Sequence, residues 1–183
     1  KNYYSQMYML ADLMENLQDR NLFLSFAQSG MEGEKALHEM LIGKYSINTE
    51  VKASEVTAAY NAHICKGIST GNPCIALASV LPCMWIYNQV GIHIFHNSKL
   101  EDNPYKEWIL EYGQEKFTEG VNKVLEMIDV WASKADGETL EQMDCHYLKA
   151  ALYEYAFWDY GYHGDSKSYE YTESLDEWLL SRG

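Results

Sequence analysis

Two side chains in this sequence have the right type and setting for chemistry. Glu154 lies in a stretch from about 139 to 162 where Leu140, Met143, Tyr147, Ala151 and Trp158 recur at helical spacing. At 100° per residue these gather into one apolar stripe, and Glu154 falls within it. A carboxylate on a buried face must find partners, or raise its pKa and take up a proton. It is either paired to a buried Lys or Arg, or poised near neutrality to give and take protons. The chain has 14 basic residues, and none lies in its most apolar segment, which tilts the choice toward the poised acid. Cys83 follows Pro82 inside that apolar segment. The proline cannot donate to the carbonyl of Ala78 and is expected to bend the helix, opening a gap beside Cys83. Tyr87, one turn on, projects from the same face. Read alone, Cys83 is an inert small core residue; a thiol reacts as thiolate, and nothing in the sequence lowers its pKa.

The aromatic residues Tyr60, Tyr87, Tyr112 and Phe157 read singly as core. Collectively, 15 tyrosines suit a pocket for a flat polar ligand, with rings to stack and hydroxyls to hydrogen-bond. A large core edged with tyrosine hydroxyls fits the same count. The six histidines form no HExxH or two-His-one-carboxylate spacing. Glu34 and His38 share a helical face, half of a metal site, but no matching Glu-x-x-His follows, which argues against a carboxylate-bridged di-iron centre. Glycine-rich phosphate loops and the Gly-x-Ser-x-Gly elbow are missing from the sequence.

These residues must be positioned by helices. The chain has 183 residues, 47% of them hydrophobic and 22% charged, enough for one domain with a full core. Its net charge of −13 repels phosphate backbones and anionic lipid, so neither nucleic acid nor a membrane surface is expected as a partner. No apolar run is expected to be long enough to cross a bilayer. The four cysteines lack CxxC spacing and read as free thiols of a reducing compartment. Apolar periodicity predicts helices over 3–17, 21–44, 54–69, 74–96, 115–134, 139–162 and 166–180. Gly30 and Gly33 argue against an unbroken second helix. Asn103 and Pro104 read as the cap and first residue of a short helix ending near Gly113. The pattern opens inside a helix, with no cap before Tyr3, so an upstream first helix is expected to be missing from the sequence shown. No strand-like alternation occurs. The expectation is an all-α single domain over 1–183.

Three motifs in order carry a family resemblance. Leu81-Pro82-Cys83-Met84-Trp85-Ile86-Tyr87, followed by Val90-Gly91, resembles the Leu-Pro-Cys-x-Trp-x-Tyr stretch of the TenA (thiaminase II) proteins. Asn103-Pro104-Tyr105 through Trp108-Ile109 and Tyr112 is similar to their next short helix. Tyr153-Glu154-Tyr155-Ala156-Phe157-Trp158 resembles their late Tyr-Glu-x-x-Phe-Trp signature. Glu34 with Leu37-His38, and Tyr60 with His63, also fit in order.

The resemblance implies a haem-oxygenase-like helical bundle that binds no haem, assembles as a homotetramer and works in the cytoplasm. It implies hydrolysis of 4-amino-5-aminomethyl-2-methylpyrimidine to the hydroxymethylpyrimidine in thiamin salvage, and in some members cleavage of thiamin. It assigns Cys83 as nucleophile, Glu154 as proton-transfer acid/base, and Tyr3, Tyr60, Tyr87, Tyr112 and Phe157 as substrate-binding residues. It implies no metal and no organic cofactor. The family's pyrimidine-gripping Asp would fall just before Lys1; Gln89 stands where many relatives have Glu; Asp159-Tyr160-Gly161-Tyr162 departs from the commoner Met-Ala pattern. Two other readings stay open: a non-catalytic or regulatory pyrimidine-binding helical module, and a metal-dependent oxidase on the same architecture.

Overall fold

The computed structural model describes residues 2–164. Among these residues the chain is helical and without strands: α1 Asn2–Asp12, α2 Leu17–Tyr45, α3 Glu55–Ser69, α4 Pro73–Asn97, α5 Lys106–Gly113, α6 Glu115–Ala132 and α7 Gly137–His163. The expected last helix over 166–180 lies outside the described residues. The chain gathers into two compact units: one holds residues 2–52 and 84–134, the other 53–83 and 135–164. The long α4 runs from the second into the first.

In the first unit, α1 packs on α2, and α2 meets α5 and α6, which also meet each other. Met7, Leu10, Phe23, Ile109, Val121 and Val124 are all buried there. Directional bonds fix the packing. The Trp131 indole donates to Asp19 at 2.9 Å, the Asn88 carboxamide to Thr118 Oγ1 at 2.9 Å, and the Tyr45 hydroxyl to the Pro104 carbonyl at 2.9 Å. In the second unit α3 packs along α7, burying Val56, Ile64, Ile68, Met143 and Ala150.

Several expected boundaries move. The first stripe does not continue to Leu17, because α1 ends at Asp12 and Asn16 caps α2, its side-chain oxygen accepting from the backbone N–H of Gln18 and Asp19. Met14 stays buried, whereas Leu17 is 71% exposed. Helix α2 is unbroken through both glycines. An added Cβ would press on the Tyr4 hydroxyl at 3.2 Å at Gly30 and collide with the Glu111 carboxylate at Gly33, so close packing offsets their poor helix propensity. The short helix begins at Lys106, not Pro104. Asn103 instead closes a preceding turn, its side chain accepting from the Tyr105 N–H at 2.9 Å.

Helix α4 corrects the expectation about membrane spans. By length and composition it could cross a bilayer. Most of its apolar stretch is buried within the protein, as in the core helix of a globular domain. The buried face of α7 also lies to one side of the stripe read from Leu140. Leu140 is exposed, while Met143, Ala150, Tyr153 and Glu154 are buried.

Candidate active site

The second unit brings together Tyr60 from α3, Cys83 from α4 and Glu154 from α7. Local sequence explains each placement. Ser54 starts α3 by accepting from the Thr57 N–H at 3.1 Å, and the Val56, Tyr60, Ile64 and Ile68 spacing then buries one face. Asp136 starts α7 in the same way through Thr139 at 2.7 Å. Cys83 sits half-buried directly after the buried Pro82 in α4, and all four cysteines are free thiols.

Glu154 is 1% exposed, and its described partners are all uncharged. The Trp158 indole N–H, one turn on, donates to its Oε1 at 2.8 Å. Tyr60 and the Cys83 thiol also lie beside the carboxyl. Burial penalises the charged form and outweighs these three neighbours, which favour it. The carboxyl is pushed up to about 7. It therefore exchanges protons readily in the neutral range and touches the thiol directly.

Behind this trio stands a column of rings. Tyr60 stacks on Tyr153 with centroids 5.7 Å apart and planes 16° from parallel. Tyr153 meets His63 at 5.5 Å, and His63 stacks on His146 at 5.0 Å. His63 Nε2 lies 3.0 Å from the His146 carbonyl oxygen; since a carbonyl only accepts, that nitrogen carries the proton. Burial lowers His63 to about 4, and His146 is lowered by burial too, with Lys66 and Lys149 adding to both effects. Both imidazoles are neutral at pH 7. Gly67, one turn beyond His63, lets α3 come close: an added Cβ would collide with the Ser79 hydroxyl, lie 2.8 Å from Ser79 Cβ and press on His146 Nδ1 at 3.3 Å.

Phe157 is half-buried on α7, three residues after Glu154. Tyr3, Tyr87 and Tyr112 belong to the first unit. There Tyr87 and Tyr112 pack at 5.0 Å, and Trp108 closes on Tyr112 at 4.9 Å. The Tyr112 hydroxyl donates to Glu34 Oε1 at 3.1 Å. Burial, reinforced by the Glu34 carboxylate, keeps this phenol protonated well beyond its ordinary range. Tyr3 packs edge-on against Tyr4 at 5.6 Å. Glu34, read from the sequence as half of a metal site, is thus engaged by Tyr112. Among the described residues no group of three or more His, Cys, Asp or Glu gathers as a metal site.

Three participants were not singled out as site residues from the sequence: Trp158, Tyr153 and His63. Trp158 carried a usable signal, because it sits at i+4 from a carboxylate on the buried face. The ring column depends on how α3 meets α7, which helical periodicity does not encode.

Comparison with known proteins adds a lineage to this geometry. The model of the TENA/THI-4/PQQC family matches residues 2–164. An aminopyrimidine aminohydrolase of Bacillus subtilis (strain 168) is 29% identical over 163 residues, 86% of this chain and 68% of that protein. Another protein of that name, from Halalkalibacterium halodurans, is 26% identical over 165 residues, 87% of this chain and 74% of its own length. A thiamine biosynthesis multifunctional protein of Corynebacterium glutamicum is 28% identical over 154 residues, 82% of this chain and 20% of that protein. Among solved structures, a TenA homologue from P. horikoshii OT3 superimposes with a TM-score of 0.74, covering 89% of this chain and 76% of its own. At 19% identity that likeness speaks to the all-helical fold.

Proposed function

Because this chain belongs to the TENA/THI-4/PQQC family, we propose that it is an aminopyrimidine aminohydrolase of thiamin salvage, with Cys83 as nucleophile and Glu154 as acid/base. Two relatives matched over most of this chain carry that name. The observation that carries the mechanistic reading is the direct approach of the Cys83 thiol to a buried carboxyl held at about 7.

The sequence of steps follows from those two groups. Ionised Glu154 takes the Cys83 proton, and Sγ bonds to an electron-poor carbon of the pyrimidine ring, whose electrons move into the ring nitrogens. The electron-rich ring expels the exocyclic amine, which takes the proton from Glu154 and leaves as ammonia. Water adds to the exposed methylene and gives its proton to Glu154. The ring then releases Sγ, which recovers a proton from Glu154. Atoms balance as aminomethylpyrimidine plus water giving hydroxymethylpyrimidine plus ammonia. An acid that must accept and donate twice per turnover works best with a pKa near the working pH.

Tyr60 and Phe157, from the same unit as the pair, are proposed to bind the pyrimidine. Tyr3, Tyr87 and Tyr112 remain in the proposal on the strength of the resemblance. From the same source come a cytoplasmic setting, a homotetramer, the aminomethylpyrimidine substrate and secondary action on thiamin; a single domain over 1–183 is proposed from the chain's length and helical patterning. The test is incubation of the purified protein with 4-amino-5-aminomethyl-2-methylpyrimidine while ammonia release is followed. Stoichiometric ammonia with hydroxymethylpyrimidine supports the hydrolase. Tight binding of the pyrimidine with no ammonia would favour the non-catalytic module instead.

A further inference from the structure

Tyr112 is held from several sides within the first unit. It is the penultimate residue of α5, which has only eight residues, and a helix that short depends on tertiary contacts. Its backbone is lodged against α4: a Cβ added at Gly91 would collide with the Tyr112 carbonyl and lie 2.7 Å from the Tyr112 Cβ. Its ring meets Trp108 at 4.9 Å, Tyr87 at 5.0 Å and Phe117 of α6 edge-on at 5.7 Å. Ring contacts alone set no direction for the hydroxyl. That direction comes from α2, where Glu34 Oε1 accepts from the Tyr112 hydroxyl at 3.1 Å. We propose that Glu34 is a positioning residue for substrate binding: its carboxylate fixes the Tyr112 phenol in the one orientation that presents the ring to the pyrimidine. This deepens the hydrolase reading and rests on it for Tyr112 as a substrate-binding residue.

The chemistry of the pair suits that role. A carboxylate has no proton to give, so Tyr112 donates and Glu34 accepts. Burial, with the Glu34 carboxylate beside it, keeps the phenol protonated, so the donor is present throughout the neutral range. A hydroxyl bonded to a charged acceptor is held more firmly than one bonded to a neutral acceptor. Tyr112 is 5% exposed. Without Glu34 its hydroxyl would be left unpaired in the interior, and the ring would turn to find another acceptor. Glu34 therefore acts on the ligand through Tyr112, without needing to touch it.

Two readouts separate this from a general effect on folding. Calorimetric binding of hydroxymethylpyrimidine, the proposed product, reports the wall without turnover, and ammonia release from aminomethylpyrimidine gives kcat and KM. Glu34→Leu, which deletes the acceptor, and Tyr112→Phe, which deletes the donor, should each raise Kd and KM about tenfold with kcat nearly unchanged. Because both changes break one bond, the double variant should lose no more than either single one. Glu34→Gln keeps an acceptor oxygen and should recover most of the loss. If Glu34→Leu does not fold, Glu34→Asp takes its place: it withdraws the acceptor by one methylene and should raise Kd and KM in the same direction. Wild-type Kd and KM in a folded Glu34→Leu or Glu34→Asp protein overturn the proposal. So do losses that multiply in the double variant, because Glu34 then acts apart from Tyr112. Changes in Kd as described without any ammonia release would uphold it and sink the hydrolase reading. A wild-type protein that binds no pyrimidine would overturn both.

Discussion

Glu154, a buried carboxyl whose described partners are uncharged, gives this protein a measurable signature. Glu154 moves from an ordinary 4.5 to about 7 on folding, so between those values the folded chain binds more protons than the unfolded one. Its contribution is fully present below pH 4.5 and is lost as pH rises through 7. Glu154→Gln removes that loss. Urea unfolding should find the variant no more stable than wild type at pH 4, and more stable by about 3 kcal/mol at pH 8. Equal differences at the two pH values would contradict the raised pKa. His63 works in the opposite sense: held neutral and lowered to about 4, it contributes above its ordinary 6.5 and fades as pH falls through 4. Cys83 is half-buried, so Cys83→Ala should lower the melting temperature by no more than about 3 °C. A larger drop would make it a core residue first. The anomaly at Glu154 was legible in the sequence because a charge interrupts an apolar stripe. Its partners Tyr60 and Cys83 were legible as site residues only through the family resemblance, since other helices deliver them.

At the scale of the helix, apolar spacing located six of the seven described elements, and the Asn103-Pro104 signal pointed to the short α5. That reading misjudged where they begin, stop and face, because those choices belong to caps and contacts. Asn16 ends one stripe and starts the next, while Asn103 closes a turn ahead of its helix. Leu140 looks like core on a wheel but is exposed on α7. The buried face is chosen by the fit of α7 against α3, where aromatic rings and Glu154 outrank that leucine. The closeness of that fit depends on Gly67. Gly67→Ala places a methyl group against Ser79 and His146, and overpacking of this kind should cost about 1–3 kcal/mol. Differential scanning calorimetry checks this, and an unchanged melting temperature would mean that α3 has room to move.

For the molecule as a whole, composition was informative mainly by exclusion. A net charge of −13 disfavours nucleic acid and anionic surfaces, and the helical pattern led to the correct fold class. What the protein does was legible only in the combination of motifs, because an all-α pattern serves many chemistries. The family match runs over residues of both units, which supports treating them as one functional chain. If the proposed assembly holds, light scattering should give a mass roughly four times that of the 21.1 kDa chain; a mass of one chain would remove the tetramer from the account. The central claim, a thiol and an acid/base acting as a pair, is tested most directly by rates of ammonia release from aminomethylpyrimidine in wild type, Cys83→Ser and Glu154→Gln, each verified as folded. Both variants should lose about 10²- to 10⁴-fold in kcat. Release at the wild-type rate from either folded variant would contradict it.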